Sequence, residues 1–372
     1  MSEPVNPDSL FALFTELPDP RSDRNKLYAL EEILFVVLAG MLSGMNHLTE
    51  IEDFAVEKLD WFRRILPFEF GIPSHDTMGR VLSMLCPDAV ELMFEQWMSS
   101  VSRTKGVVAM DGKTVRGTAS KNGSSPLVHI VSGFASANGV VLGQLRANKK
   151  SNEVTAILRL LESLVLSGAV IPIDAAGCQT EIMDTVVERK VDFIIAVKGN
   201  QPTLYRDLAV AFQDVYRGDM EVSQAETEER GHGRDEWRKA EVISAGSILS
   251  DPEKWKSVIR MTSKRHVGGK RTASTRYYAS SLAKLDGPTA LHHIRDHWSI
   301  ENRLHWWLDT PFREDECRCR AENLAENLVV IRHVVLNLLR SATHLKSGIA
   351  GRRLRCGYSD ATREKLITGF PR

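Results

Sequence analysis

From Lys105 onward, short β-branched apolar runs alternate with glycine and polar turns, a pattern that few architectures accommodate. Residues 107–110, 127–134 and 140–145 read as strands, and Asn138-Gly139 marks a hairpin between the last two. An amphipathic stretch at 153–165 predicts a helix, 169–173 a buried strand, 179–189 a second helix and 193–197 another buried strand. The order βββαβαβ implies a mixed sheet with helices packed against it, an α/β core rather than a sandwich.

The 372 residues leave room for about two or three domains. Before the strands, apolar positions at helical spacing (Leu27, Leu30, Ile33, Leu34, Val37, Leu38, Met41), a second set from Ile51 to Phe62 and a Ser74-capped third predict a helical domain over 1–104. A second, α/β domain is expected over 105–345, with a β-rich insertion at about 218–285, and a basic C-terminal tail over 346–372. The longest apolar run, 33–44, is too short for a membrane span of roughly 20 residues. The opening MSEPVNPDSL lacks the basic flank and apolar segment of a secretory signal, so a cytoplasmic protein is expected. Five scattered cysteines without C-x-x-C spacing read as reduced thiols.

A net charge of zero conceals an asymmetry. Residues 1–104 hold 8 basic against 17 acidic side chains, whereas 254–284 hold nine basic and no acidic ones, and 332–372 nine basic against two acidic. The last two stretches are candidate polyanion surfaces. Trp255, Tyr277 and Tyr278 lie within the first, where they could stack on bases or fill the core of a hairpin. In the acidic N-terminal segment, a helix exposing His75, Thr77 and Arg80 could enter a groove, or the domain could serve dimerisation.

Asp111 and Asp174 each close an apolar run, in VVAMDGKTVRG and AVIPIDAAGCQ. Carboxylates at adjacent strand ends repel each other unless divalent cations neutralise them, and two such cations can support phosphodiester displacement. Taken singly, each aspartate reads first as the start of a turn, and it is the pair at matching strand ends that points to chemistry. Glu301 sits in IRDHWSIENRLHWWLD, where His297, Glu301 and His305 recur every four residues; that spacing could instead assemble a zinc site.

The segments MDGKTVRG, LGQLRANKKSNEVTAI, IDAAGCQTEI, FIIAVKGNQ and HWSIENRLHWWLDTPFREDECRCR with AENLAENLVVIRHVVLNLLR closely resemble the DDE transposases of bacterial insertion sequences, nearest the H-repeat-associated group. The resemblance runs from about residue 8 to 345, and LPDPR and GIPSHDTMGRVL look like that group's associated N-terminal helical domain. It implies a ribonuclease H-like mixed sheet with flanking helices. Asp111, Asp174 and Glu301 would be the catalytic metal ligands, binding two Mg2+ ions for which Mn2+ can substitute. The implied function is DNA transposition, with cleavage at element ends and strand transfer into target DNA. The implied partner is double-stranded DNA rather than a membrane, bound as a homodimer. A nuclease that cuts without joining, and a DNA-binding relative without catalysis, are the competing readings.

Many relatives carry Tyr, Arg and Lys at −7, −4 and +7 from the glutamate, where this chain has Ile294, His297 and Leu308. His297, Arg295 and Arg303 are the candidates to replace them, and Asp309, Glu314 and Asp315 remain rivals or helpers for the third acid. Lys113, Arg116, Lys198, Asn200 and Gln201 follow strand ends and could position DNA near the carboxylates; Lys264, Arg265, Lys270, Arg271 and Arg303 complete the candidate DNA contacts.

Overall fold

Five strands arise from the alternating stretch: β1 (Gly106–Val115), β2 (Val128–Ala135), β3 (Val140–Ala147), β4 (Ala169–Ile173) and β5 (Asp192–Val197). The following segment supplies four more: β6 (Ser223–Gly231), β7 (Arg234–Ser244), β8 (Ser257–Val267) and β9 (Lys270–Ser280). The computed structural model describes residues 7–368 apart from 25, 102–103, 105, 120–126, 148–152, 175–179, 216–219, 232 and 247. All nine strands join one sheet in the order β3-β2-β1-β4-β5-β9-β8-β7-β6.

Strands β1, β2 and β3 pair antiparallel, while β4 and β5 run parallel to β1. This is the ribonuclease H-like arrangement. Parallel neighbours need crossovers, supplied by α7 (Glu153–Ser163) before β4 and α8 (Thr180–Glu188) before β5. Gly139, at φ +70°, turns the β2–β3 hairpin at the expected Asn-Gly.

The β-rich segment extends this same sheet, because β9 lies antiparallel on β5 with Val197 opposite Tyr277. Sequence periodicity indicates only short strands there and misses β6 altogether. The outer strand SQAETEERG is polar along its whole length and its residues are exposed or half-buried, so no apolar alternation marks it.

The remaining helices are α1 (Pro7–Glu16), α2 (Leu30–Leu42), α3 (Leu48–Glu57), α4 (Leu59–Phe62), α5 (His75–Met84), α6 (Pro87–Val101), α9 (Pro202–Val215), α10 (Gly287–His297), α11 (Trp306–Asp309), α12 (Leu324–Ser341), α13 (Ile349–Tyr358) and α14 (Asp360–Thr368). Helix α12 is buried from Leu324 to Leu339 and packs against α2, α5, α6 and β3, so the N-terminal helices gather around it. Helix α2, almost wholly buried, reads as apolar on every side because it is interior. Among the described residues no helix is long and apolar enough to cross a membrane.

The basic C-terminal stretch does not form the expected polyanion surface as a whole. Arg332, Arg353 and Arg363 are buried. Arg353 donates to the Met41 and Met45 carbonyls and to Asn46 Oδ1, at 2.8, 3.2 and 3.0 Å, and its guanidinium lies 4.1 Å from the Phe312 ring centre. Arg363 lies 4.0 Å over Trp61. Such contacts satisfy guanidinium donors inside the protein and leave them unavailable to phosphates.

Asn327 joins the two helical layers through its buried amide, which donates to the Leu82 and Leu85 carbonyls at 2.7 and 3.1 Å. Asn327→Leu strands the Leu82 carbonyl in the core and leaves that of Leu85 to the Asn323 amide alone. It should lower unfolding stability by roughly 1–3 kcal/mol, measured as a shift of the urea midpoint.

Candidate active site

Past the two ladder pairs Gly106↔Ala169 and Val107↔Val170, β1 and β4 part company. Five residues on from the first of these pairs stand Asp111, still within β1, and Asp174, just past the end of β4, so the pairing delivers both acids to the same end of the two strands. Asp111 does not end its strand, as sequence alone suggests. Strand β2 keeps β1 extended to Val115, with Asp111 opposite Ser132. Residues 175–179, which follow Asp174, lie outside the described residues.

Helix α10 brings the third acid. Its apolar face (Ala290, Leu291, Ile294) packs on Val170, Ile194, Ile259 and Tyr278, laying it across the sheet. After Trp298 the helix widens into a π turn, Glu301–His305, before α11. Ser299 Oγ meets Ser136 Oγ at 2.8 Å and Arg303 Nη1 donates to the Ser136 carbonyl at 2.6 Å, which ties this turn to the β2–β3 hairpin. Asp111, Asp174 and Glu301 consequently line one cavity of ≈ 460 Å3, together with Glu153, Lys198, Arg276, His297 and Trp298.

The N-terminal helices match the family profile "DDE_Tnp_1-associated" over residues 11–98, and the sheet and its helices match "Transposase DDE domain" over residues 102–338. The chain belongs to the DDE transposases. The "Putative transposase YncI" of Escherichia coli O157:H7 is 36% identical over 368 residues, covering 96% of this chain and 94% of the relative. The "H repeat-associated putative transposase YhhI" of Escherichia coli strain K12 is 34% identical over 343 residues, covering 90% of each. A shorter relative, "Inactive transposase YbfQ" of the same strain, is 38% identical over 66 residues, covering 18% of this chain and 79% of the relative.

Members of this family generally use divalent metal ions. Among the described residues of the transposase, no group of three or more His, Cys, Asp or Glu side chains stands close enough to hold an ion. This applies both to the acidic triad and to the zinc trio suggested by helical spacing. The π turn breaks the regular period that the trio requires, and His305 Nδ1 lies 3.8 Å from Asp111 Oδ2. The carboxylate oxygens facing the cleft nevertheless suit a hard divalent cation. Burial pushes Asp111 up to about 6, and the Glu301, Glu153 and Asp174 carboxylates add to the effect against the opposing Gly112 amide. Burial also lowers His297, and lowers His305 to about 4, so neither imidazole supplies a cation at neutral pH.

Lys113 is engaged inside the protein. Its ammonium is held by Asp309 Oδ1 at 2.7 Å, Glu314 Oε2 at 2.9 Å and Asp315 Oδ1 at 3.5 Å. Although burial pushes the Glu314 carboxyl up, Lys113 and Arg332 hold it below the usual range. The rivals for the third acid are therefore engaged in fastening the segment after α11 to β1. The Arg116 amide donates to Asp315 Oδ1 at 3.1 Å, whereas its side chain is exposed. Gly117 lets that segment approach, since a Cβ there would stand 2.5 Å from the Cys317 carbonyl.

The other candidate contacts scatter. Lys198 lines the carboxylate cavity; Asn200 is exposed in the following turn, and Gln201 lines a separate cavity with Trp255. Arg303 spends Nη1 on Ser136 and lies 5.9 Å from the Phe134 ring. In the β7–β9 arm, period-two alternation sets Arg265 and Lys270 on one face and Lys264 and Arg271 on the other, so the four do not form a single surface. Lys264 lies 4.7 Å over Trp237, and Arg265 pairs with Glu236 at 3.3 Å. The stretch free of acids also acquires acids from its neighbours: together β6–β9 carry ten basic and six acidic residues. Trp255, Tyr277 and Tyr278 pack inward, on Phe193, on Tyr205 with Phe212, and among the apolar residues under α10 respectively. Three cleft residues escaped sequence reasoning: Glu153, Arg276 and Trp298. Each falls inside a segment whose local pattern signals only helix or strand.

Two measurements test this geometry. The half-buried Asp111, raised above its ordinary 3.8, binds its proton more tightly folded than unfolded, so it costs stability as pH rises from about 4 to 6 and fully beyond. In chelator, Asp111→Asn should thus melt above wild type at pH 8, by roughly 1 kcal/mol after allowing for solvent screening, with no advantage at pH 4. Lys113→Met should cost about 1–3 kcal/mol, because Glu314 stays buried with Arg332 alone to offset its charge, yet leave the salt dependence of DNA binding unchanged.

Proposed function

We propose that this transposase cleaves DNA at the ends of its insertion sequence and joins the freed 3′-hydroxyl to target DNA. Asp111, Asp174 and Glu301 would hold two Mg2+ ions, for which Mn2+ can substitute. The observation that carries this reading is the one cleft lined by all three acids, two of them borne at the same end of the paired strands β1 and β4. When bound, such ions activate an attacking oxygen and stabilise a leaving one.

The chain's own part is to bind and orient DNA. Lys198 and Arg276 stand in the same cleft as cations for phosphates flanking the scissile bond. Arg276, Tyr278, Trp298 and Glu301 also line an adjoining cavity along one face of the arm, where Arg234, Arg238 and Arg265 outnumber the Glu229 and Glu236 carboxylates they pair with. Trp298 is 44% exposed, and its indole offers a stacking surface beside Glu301. No side-chain nucleophile is required, because water and then the DNA hydroxyl serve in turn. Double-stranded DNA, a homodimer holding two ends, and the cytoplasm complete the proposal.

A supercoiled-plasmid assay with magnesium, read for nicking and for joined products, tests it. Asp111→Asn, Asp174→Asn and Glu301→Gln should each abolish both products while retaining DNA binding. Wild-type nicking without joining would make the chain a nuclease, and binding without either an inactive relative. Arg265→Gln with Lys270→Gln should flatten the salt dependence of binding by up to about 0.9 per lost phosphate contact, more than Lys264→Gln with Arg271→Gln.

A further inference from the structure

A fourth carboxylate, carried by a different helix from Glu301, lines the cleft. Glu153, the first residue of α7, lines the cavity with the three acids. Its Oε1 stands 2.7 Å from His129 Nε2, and His129 Nδ1 stands 2.8 Å from Thr114 Oγ1. His129 and Thr114 are register partners on β2 and β1, so the sheet itself holds the imidazole in place. With Oε1 occupied, Oε2 has no hydrogen-bond partner among the described residues.

The backbone beside Asp111 is shaped for this approach. A Cβ on Gly112 would fall 2.7 Å from Glu153 Oε1 and 2.6 Å from His129 Nε2, inside van der Waals contact. Only glycine at that position lets a carboxylate and its supporting imidazole cross β1 next to Asp111. An acid serving merely to start a helix needs no such cradle. A carboxylate held through one oxygen by an imidazole, with the other toward a set of hard oxygen donors, is the arrangement by which proteins orient metal ligands.

We propose that Glu153 is a fourth acidic donor to the divalent cation of the cleft, oriented by His129 and Thr114. This rests on the reading of Asp111, Asp174 and Glu301 as cation-holding residues. The test is Mn2+ binding to the full chain without DNA, followed by the rise in melting temperature across a Mn2+ titration. Glu153→Gln keeps an oxygen able to accept from His129 and removes one like charge. In chelator it should melt at or above wild type, while its Mn2+ midpoint shifts upward by about tenfold or more. His129→Gln, which frees the carboxylate without removing it, should shift the midpoint in the same direction by a smaller factor. Asp111→Asn separates the two claims. If it abolishes the Mn2+ response while Glu153→Gln binds like wild type or melts clearly lower in chelator, Glu153 is structural and the proposal is overturned. If Asp111→Asn leaves the response unchanged as well, the underlying cation-site reading fails with it.

Discussion

The parallel pairing of β1 with β4 is the constraint on which the cleft depends. It spans only two residue pairs, yet it brings the strand ends that bear Asp111 and Asp174 to one cleft. Once the ladder ends, the strands diverge and a cavity opens between them. Like charges in a partly desolvated cleft oppose folding, and the raised Asp111 is the local expression of that opposition. The structure tolerates it because the flanking strand residues, Val107 to Met110 and Ala169 to Ile173, lie in continuous apolar core.

A second dependence runs through α12. By gathering α2, α5, α6 and β3 around one buried helix, it makes the N-terminal helices part of the support for the catalytic sheet. The C-terminal arginines complete that support rather than extending a DNA surface. Arg353 takes up the carbonyl of Met41 at the end of α2, where a helix leaves acceptors unpaired and favours a cation. A count of charges along the sequence cannot distinguish a guanidinium in water from one capping a buried helix.

Much of the fold was legible because it follows from period. The βββαβαβ order, the Asn-Gly hairpin and the buried α2 all express local hydrophobic patterns. What escaped depends on pairing between distant segments. Strand β6 has no apolar face of its own and exists through its ladder with β7. Lys113 reads as a free cation after a strand until residues 309–315 arrive beside it. Glu153 reads as an ordinary first residue of a helix until His129 and Gly112, far from it in sequence, show how closely it approaches β1. The family resemblance selected Glu301, which its own surroundings would not have done.

Glu301 also shows why the acid of a cleft need not be positioned by its own helix. Before the π turn, the chain is fastened to the β2–β3 hairpin through Ser299 and Ser136; within it, Arg303 binds the Ser136 carbonyl. Beyond it, Asp309 and Glu314 are fastened to Lys113 on β1, two residues from Asp111. A regular helix between two fixed points would present residues at a set angle. One inserted π turn changes that angle while leaving both attachments intact. The direction of Glu301 is therefore decided by β1 and the β2–β3 hairpin, the same elements that carry Asp111. The π turn takes up the mismatch between the helical repeat and the spacing of the sheet.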